Sequence, residues 1–187
     1  VSFEKNQELL KEVPFFRYQD LAVIFYCLLH ASAENQANIL IHNHHLNLWK
    51  TDKETLYRLA KKNTPQLLPP QLTPMSSLLK EMQLVAETPL PEAAPPLYVL
   101  TNTYRTNGAT VLLYDDILKE LSDLFEKDLI ILPSSIHEVI LIPAYDHDSY
   151  DELTSMVKEV NSTQLSKEEI LSDHVYFYSR ETGQISM

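Results

Sequence analysis

The chain has 187 residues, one cysteine and a formal net charge of −11, with 44% apolar and 22% charged residues. That balance is ordinary for a globular protein, and the length buries a core without covalent staples. It excludes a disulfide framework, because Cys27 alone closes no internal bridge, and no apolar run reaches the ~20 residues of a spanning helix.

The charge is unevenly placed. Residues 1–63 carry eight Lys/Arg against seven Asp/Glu, residues 64–96 one against three, and residues 97–187 six against sixteen. An acidic second half repels phosphate backbones, so nucleic acid is not an expected partner. No secretory signal opens the chain, and its first residue is Val1 rather than Met, which points to a piece of a longer protein and to a cytoplasmic setting. Cys27 lies in the apolar run 21–29 and reads as a buried small hydrophobe rather than a nucleophile.

Taken in chain order, residues 2–12 read as a helix and 15–29 as a long extended run. A polar turn over 30–36 leads to a short strand over 38–41. The run Thr51-Asp52-Lys53-Glu54 is a capping box: the threonine hydroxyl and the glutamate each satisfy a free backbone N–H. The helix it opens stops at Asn63-Thr64-Pro65. Eight of the eleven prolines fall between Pro65 and Pro96, so 64–96 reads as a connector carrying one short helix after Thr73 and Pro74. A strand over 97–101 follows, then a turn at Asn107-Gly108, a strand over 109–113 and a helix from Asp115. Apolar runs 129–132 and 136–142 around Pro133-Ser134-Ser135 signal a hairpin. A helix over 149–160, a second capping box at Ser166–Glu169 and a strand over 174–178 complete the chain.

A faint repeat supports this order. Shifting by 72 residues aligns 26–49 with 98–121, with six identities that include Tyr26/Tyr98, Asn35/Asn107 and Ala37/Ala109. The expected fold is α+β: two related β-β-α units in a mixed, mostly antiparallel sheet, with helices largely on one face. The divisions are 1–63, 64–96 and 97–187, or all 187 residues form one continuous domain.

The stretches Leu97–Asn102, Asn107-Gly108-Ala109 and Leu132-Pro133-Ser134-Ser135-Ile136-His137-Glu138-Val139 resemble a domain family of unknown function found widely in anaerobic gut bacteria. Glu159-Val160-Asn161 and Leu171–Tyr176 resemble its C-terminal signature. A second uncharacterised family, named after a protein of spore-forming bacilli, is distantly similar over the middle stretch. The resemblance covers the chain from about Val13 onward and implies members longer at the N-terminus; it implies no reaction.

Several residue groups bear on function. Ser134, Ser135 and His137 are the residue types of a hydrolase, and His174 is a distant partner that folding would have to supply. A triad made from the local run alone is disfavoured, because His137 and Glu138 on a strand point to opposite faces. A serine-rich turn satisfying its own backbone is the simpler reading. His42, His44 and His45 are a possible metal set, but a solvated loop at a helix entry is the favoured reading and no metal site is assigned. Asn102, Arg105, Asn107 and Gly108 form a turn able to display polar groups to a ligand. Nothing resembles a phosphate loop or other cofactor motif, so no cofactor is expected. The favoured reading is a non-enzymatic intracellular binding or interaction module, with a protein partner or a second copy of the chain as its occupant. Such a module should show an exposed apolar patch and no convergent polar pocket. The rival is a hydrolase using Ser134 or Ser135 with His137 and His174; the sequence leaves the choice of enzyme or binder open.

Overall fold

In a computed structural model of the chain, the described residues are 1–31, 36–81, 96–133, 135–145, 153–155, 157–159, 161 and 169–187. Ser134, the turn 32–35 and the second capping box over 166–168 lie outside them. The elements are α1 (Gln7–Glu12), β1 (Phe16–Tyr18), β2 (Leu21–Val23), β3 (Tyr26–Ala31), β4 (Gln36–Leu40), α2 (Asn43–Trp49), α3 (Lys53–Leu67), β5 (Pro70–Pro74), α4 (Met75–Glu81), β6 (Tyr98–Asn102), a 3₁₀ helix (Gly108–Leu113), α5 (Ile117–Phe125), β7 (Leu129–Leu132), β8 (Val139–Pro143), β9 (Tyr176–Tyr178) and β10 (Ile185–Ser186).

Six strands form the main sheet in the order β10-β9-β7-β8-β6-β5. Every pairing in it is antiparallel, as is each of the two-stranded hairpins β1-β2 and β3-β4. The chain is therefore α+β. β7 is the innermost apolar strand: its sequence Leu-Ile-Ile-Leu is buried throughout, paired with β8 on one side and β9 on the other. A strand without polar alternation needs cover on both faces, and it has it. Leu129 and Ile131 join Leu100, Val111, Leu118, Leu121, Leu141 and Tyr176 beneath α5 and the 3₁₀ helix. Ile130 and Leu132 face the other way, against Ile142 and the helical residues Leu153 and Val157. Each such apolar side chain contributes roughly 1.5–3 kcal/mol on full burial.

The structure corrects several sequence expectations. The extended run 15–29 is cut into three strands by a turn at Gln19, whose φ is 54°, and by residues 24–25. The first helix begins only at Gln7. The cap of α3 is Asp52, whose carboxylate accepts the Thr55 N–H at 2.8 Å, not Thr51. Pro65 does not stop α3; the helix runs to Leu67, and the Leu68 N–H closes the last turn on the Thr64 carbonyl at 2.8 Å. A proline loses one backbone bond near a helix end, where the loss is smallest. The proline-rich stretch also supplies β5, an edge strand bounded by Pro70 and Pro74, positions that need no outward donor.

The stretch expected as a strand over 109–113 is instead the 3₁₀ helix. Its apolar run Ala109-Thr110-Val111-Leu112 buries three of those side chains against the sheet rather than extending it. Asn107 enters it with φ 49°, the left-handed conformation that asparagine tolerates. Consequently the two repeat-related stretches do not build equivalent units: the first is the separate hairpin β3-β4 followed by α2, the second is β6, the 3₁₀ helix and α5.

Gly108 is required by space rather than by dihedral freedom. A Cβ there would lie 2.0 Å from the Thr101 hydroxyl oxygen and 2.3 Å from the His137 carbonyl oxygen. Gly183 differs: its φ is +67°, but the nearest atom to a Cβ is the Tyr178 hydroxyl at 3.8 Å. Gly108→Ala should therefore cost about 1–3 kcal/mol or more in urea unfolding through overpacking, and Gly183→Ala about 1–2 kcal/mol through backbone strain alone. A cost below about 1 kcal/mol at Gly108 would contradict the steric assignment.

Candidate functional site

The Pro-Ser-Ser-Ile-His-Glu stretch is the loop between β7 and β8. Those strands pair as the hairpin signal implied, Leu132 opposite Ile140, but β8 begins at Val139, so His137 and Glu138 are loop residues rather than strand residues. Ser135 is buried and bridged to Ile170; its hydroxyl oxygen accepts the His137 backbone N–H at 3.0 Å. The hydroxyl thus meets the backbone of His137 and not its ring in any recorded bond. The ring Nδ1 accepts the Asn107 N–H at 3.2 Å, and Nε2 lies 3.7 Å from a Glu169 carboxylate oxygen. An Nδ1 that accepts has its lone pair engaged, so the imidazole acts here as a tie between two loops.

The loop 102–107 is built in the same way. Asn102 is fully buried, its side-chain oxygen accepting the Tyr104 N–H at 3.0 Å and its amide donating to the Thr106 carbonyl at 2.8 Å. Gly108 is buried beneath His137, and the Thr101 hydroxyl donates to the His137 carbonyl at 2.7 Å. Arg105 is exposed with φ 52°. Thr106 and Asn107 of this loop line a cavity. Ser135, His137, Asn102 and Asn107 do come together, but as a hydrogen-bonded junction.

His174 has a partner that sequence reading missed. Its Nδ1 lies 3.1 Å from Asp20 Oδ2, the same oxygen that accepts the Ser172 hydroxyl at 2.7 Å. The Tyr176 hydroxyl donates to Oδ1. Burial pushes the Asp20 carboxyl up, but the donors Tyr176, Ser172 and His174 outweigh it and hold the group below its ordinary range. Burial and the Asp20 charge together push the Tyr176 phenol well up. Asn161 extends the cluster by donating to the Ser172 carbonyl at 2.9 Å and to Asp173 at 2.7 Å, and Lys5 pairs with Asp173 at 3.1 Å. The clasp joins the β1-β2 turn to the start of β9. Asp20 was invisible as a site residue because its partners lie more than 150 residues away.

The histidines 42, 44 and 45 sit at the start of α2. The His42 N–H donates to His45 Nδ1 at 3.0 Å, and the His45 ring stacks on Trp49 at 5.3 Å. Partial desolvation, then the neighbouring imidazoles of His44 and His42, hold His45 below the usual histidine range. Among the described residues, no group of three or more His, Cys, Asp or Glu side chains is placed to hold a metal ion.

A cleft of about 600 Å³ lies elsewhere, between hairpin β3-β4 and α3. Tyr26, Leu28, Ile41, Leu56, Leu59 and Leu67 are among its walls, with Asn38, Asn63, Thr106 and Asn107 adding neutral polar groups. Among the described residues, no Asp, Glu, Lys, Arg or His lines it. Cys27 also lines it and is exposed, not buried as its apolar run implied. β3 belongs to a hairpin of only two strands, so no second sheet layer covers it.

The Asp20 clasp sets a pH dependence. A carboxyl lowered in the folded state stabilises fully above the unfolded pKa, about 3.9, and that stabilisation is lost as pH falls through the folded value. Asp20→Asn should destabilise the protein by about 1–3 kcal/mol at pH 7. The gap between variant and parent in urea unfolding should narrow as pH drops below about 4. A gap that stays constant from neutral to acid pH would contradict the assignment.

No curated protein and no solved structure matches the chain. One family pattern does, over residues 1–180 of 187, and its description is a family of unknown function, DUF5688. That match spans nearly the whole chain, from α1 through β9, and the protein belongs to this family of unknown function.

Proposed function

We propose that the protein is a non-enzymatic binding module of the cytoplasm, and that its recognition surface is the cleft between β3-β4 and α3. One observation carries this reading: a cleft of about 600 Å³ whose lining, among the described residues, is mostly apolar and holds no carboxylate, ammonium, guanidinium or imidazole group. General acid–base chemistry most often draws on such a group; the titratable side chains that do line the cleft are the Cys27 thiol and the Tyr26 phenol, which burial pushes up. Binding needs only apolar area and a few orienting polar groups, which Asn38, Asn63 and Asn107 supply.

The surroundings favour the same reading. Tyr26, Leu29, Ile39, Trp49, Leu59 and Leu67 are 43–61% exposed around the hairpin and α2-α3. Neither α2 nor α3 has a fully buried side chain. A contiguous apolar surface of this kind marks a contact site. The hydrolase alternative has less to draw on, because the hydroxyl of Ser135 and the ring Nδ1 of His137 are both engaged in holding loops together. An exposed, unpaired Cys27 thiol suits a reducing compartment.

Nile red, a neutral apolar dye, tests the surface without assuming a partner. It should bind saturably, one dye per chain. Leu59→Asp, or alkylation of Cys27 with N-ethylmaleimide, should weaken that binding by about tenfold, as loss of a central apolar contact does. Leu124→Asp, at a still more exposed leucine on α5, should leave it unchanged. Equal loss in both leucine variants, or no binding, would refute the assignment.

A further inference from the structure

We propose that the first turn of α2 is an acid-operated catch: uptake of a proton by His45 breaks the bond that caps the helix and unwinds that turn. The device stands apart from the binding reading and needs no occupant in the cleft.

The catch is a hydrogen bond that one proton forbids. The His42 backbone N–H donates to His45 Nδ1 at 3.0 Å, so that nitrogen is unprotonated and the neutral ring carries its proton on Nε2. The next proton can go only to Nδ1. An imidazolium donates from both nitrogens and accepts at neither, so protonation sets two donors against each other. The ring itself is held in place. It lies on the Trp49 indole, with centroids 5.3 Å apart and planes 19° apart, and a cation is attracted to that face. The His42 N–H is therefore the group that leaves.

Little else holds this turn. α2 has seven residues, none of them buried, and no acidic side chain in its first turn. A helix that short is marginal without its end bonds. At its far end the Lys50 and Thr51 N–H groups return to the Asn47 and Leu46 carbonyls at 3.3 and 3.1 Å. At its start the turn closes through the His45 N–H and the His42 carbonyl at 3.0 Å. The Asn43 amide donates to the Lys11 carbonyl at 3.1 Å, which ties the chain to α1 but caps no N–H of the helix.

The surrounding charges act in the same direction. The His44 and His42 rings lie 4.0 and 5.8 Å from the His45 ring, centroid to centroid. Positive charge at a helix N-terminus opposes the macrodipole. Glu12 of α1 lies 3.9 Å from His42 Nδ1 and favours a proton there, which adds a second cation to the turn. Other charges close in sequence are engaged elsewhere: Lys11 pairs with Glu8, Asp52 caps α3 and Lys53 stands over the Phe16 ring. Lys50 is a further exposed cation. Partial desolvation, then the imidazoles of His44 and His42, hold His45 below the usual histidine range. A histidine lowered in this way supports the turn fully above its ordinary value of about 6.5, and that support is lost as pH falls through the folded value.

Two readouts test the catch together. Trp49 is the one tryptophan of the chain, and an imidazolium in contact with an indole quenches its emission, so fluorescence reports the proton on His45. The ¹H–¹⁵N heteronuclear NOE of residues 43–46 reports the unwinding. Between about pH 7.5 and about pH 5 both should fall with one midpoint, below about 6.5. His45→Gln keeps an acceptor for the His42 N–H but has no proton to gain. Both responses should vanish in it, with the NOE values staying at the parental neutral-pH level. His44→Gln should keep both responses and move the midpoint up, because one neighbouring imidazole is gone. The Asp20 clasp titrates below about 4, outside this window. Circular dichroism at neutral pH confirms that both variants are folded.

Emission that falls while the NOE values stay constant overturns the proposal, because His45 then takes its proton without unlocking the turn. Loss of NOE that persists in His45→Gln overturns it as well, by placing the response on another group. So does a midpoint that stays where it was in His44→Gln.

Discussion

Two loops that are far apart in sequence hold each other where Gly108 passes beneath His137, and much of the molecule is arranged around that crossing. The Ala109 N–H donates to the Ile136 carbonyl at 3.1 Å, Asn107 donates to the His137 ring, and Thr101 donates to the His137 carbonyl. These bonds tie the end of β6 and the start of the 3₁₀ helix to the β7-β8 loop. A side chain at position 108 would separate them. The crossing seats the 3₁₀ helix on the sheet, where Val111 and Leu112 join the main core, and it presents Thr106, Asn107 and Thr110 to the cleft. The residues that looked most like a reaction centre are therefore the ones that hold the frame together.

The second fastening is the Asp20 clasp, which works by different chemistry. The crossing uses mostly neutral backbone donors. The clasp gathers a tyrosine, a serine and a histidine around one carboxylate, so its strength depends on that carboxylate remaining charged. The two together hold the N-terminal hairpin and the C-terminal strand against the sheet. Between them the β3-β4 hairpin and α3 are left with apolar surface facing outward, which is the setting in which a binding face persists.

Much of this was legible from residue order. The antiparallel β7-β8 hairpin followed from two apolar runs around Pro-Ser-Ser, and α5 followed from its leucine spacing, although Leu124 of that stripe is 70% exposed. The departures share a cause. The run 109–113 has the apolar content of a strand, but the neighbouring position on the sheet edge is taken by β5, a strand hidden among prolines. Pro65 resembled a stop, yet it falls in the last turn of α3, where little remains to break. Cys27 lies in a run apolar enough for a core, but its hairpin has no covering layer.

By itself the sequence determined the α+β class, a single cysteine that closes no internal disulfide, the acidic second half and the hairpin around Pro133. These depend on composition, local periodicity and turn chemistry, which act between near neighbours. Only the tertiary structure decided that His137 ties loops, that His174 meets Asp20, and that an uncharged cleft lies beside α3. Each of those is a meeting of side chains separated by tens to more than a hundred residues, and such meetings depend on which strands pair and which faces are covered.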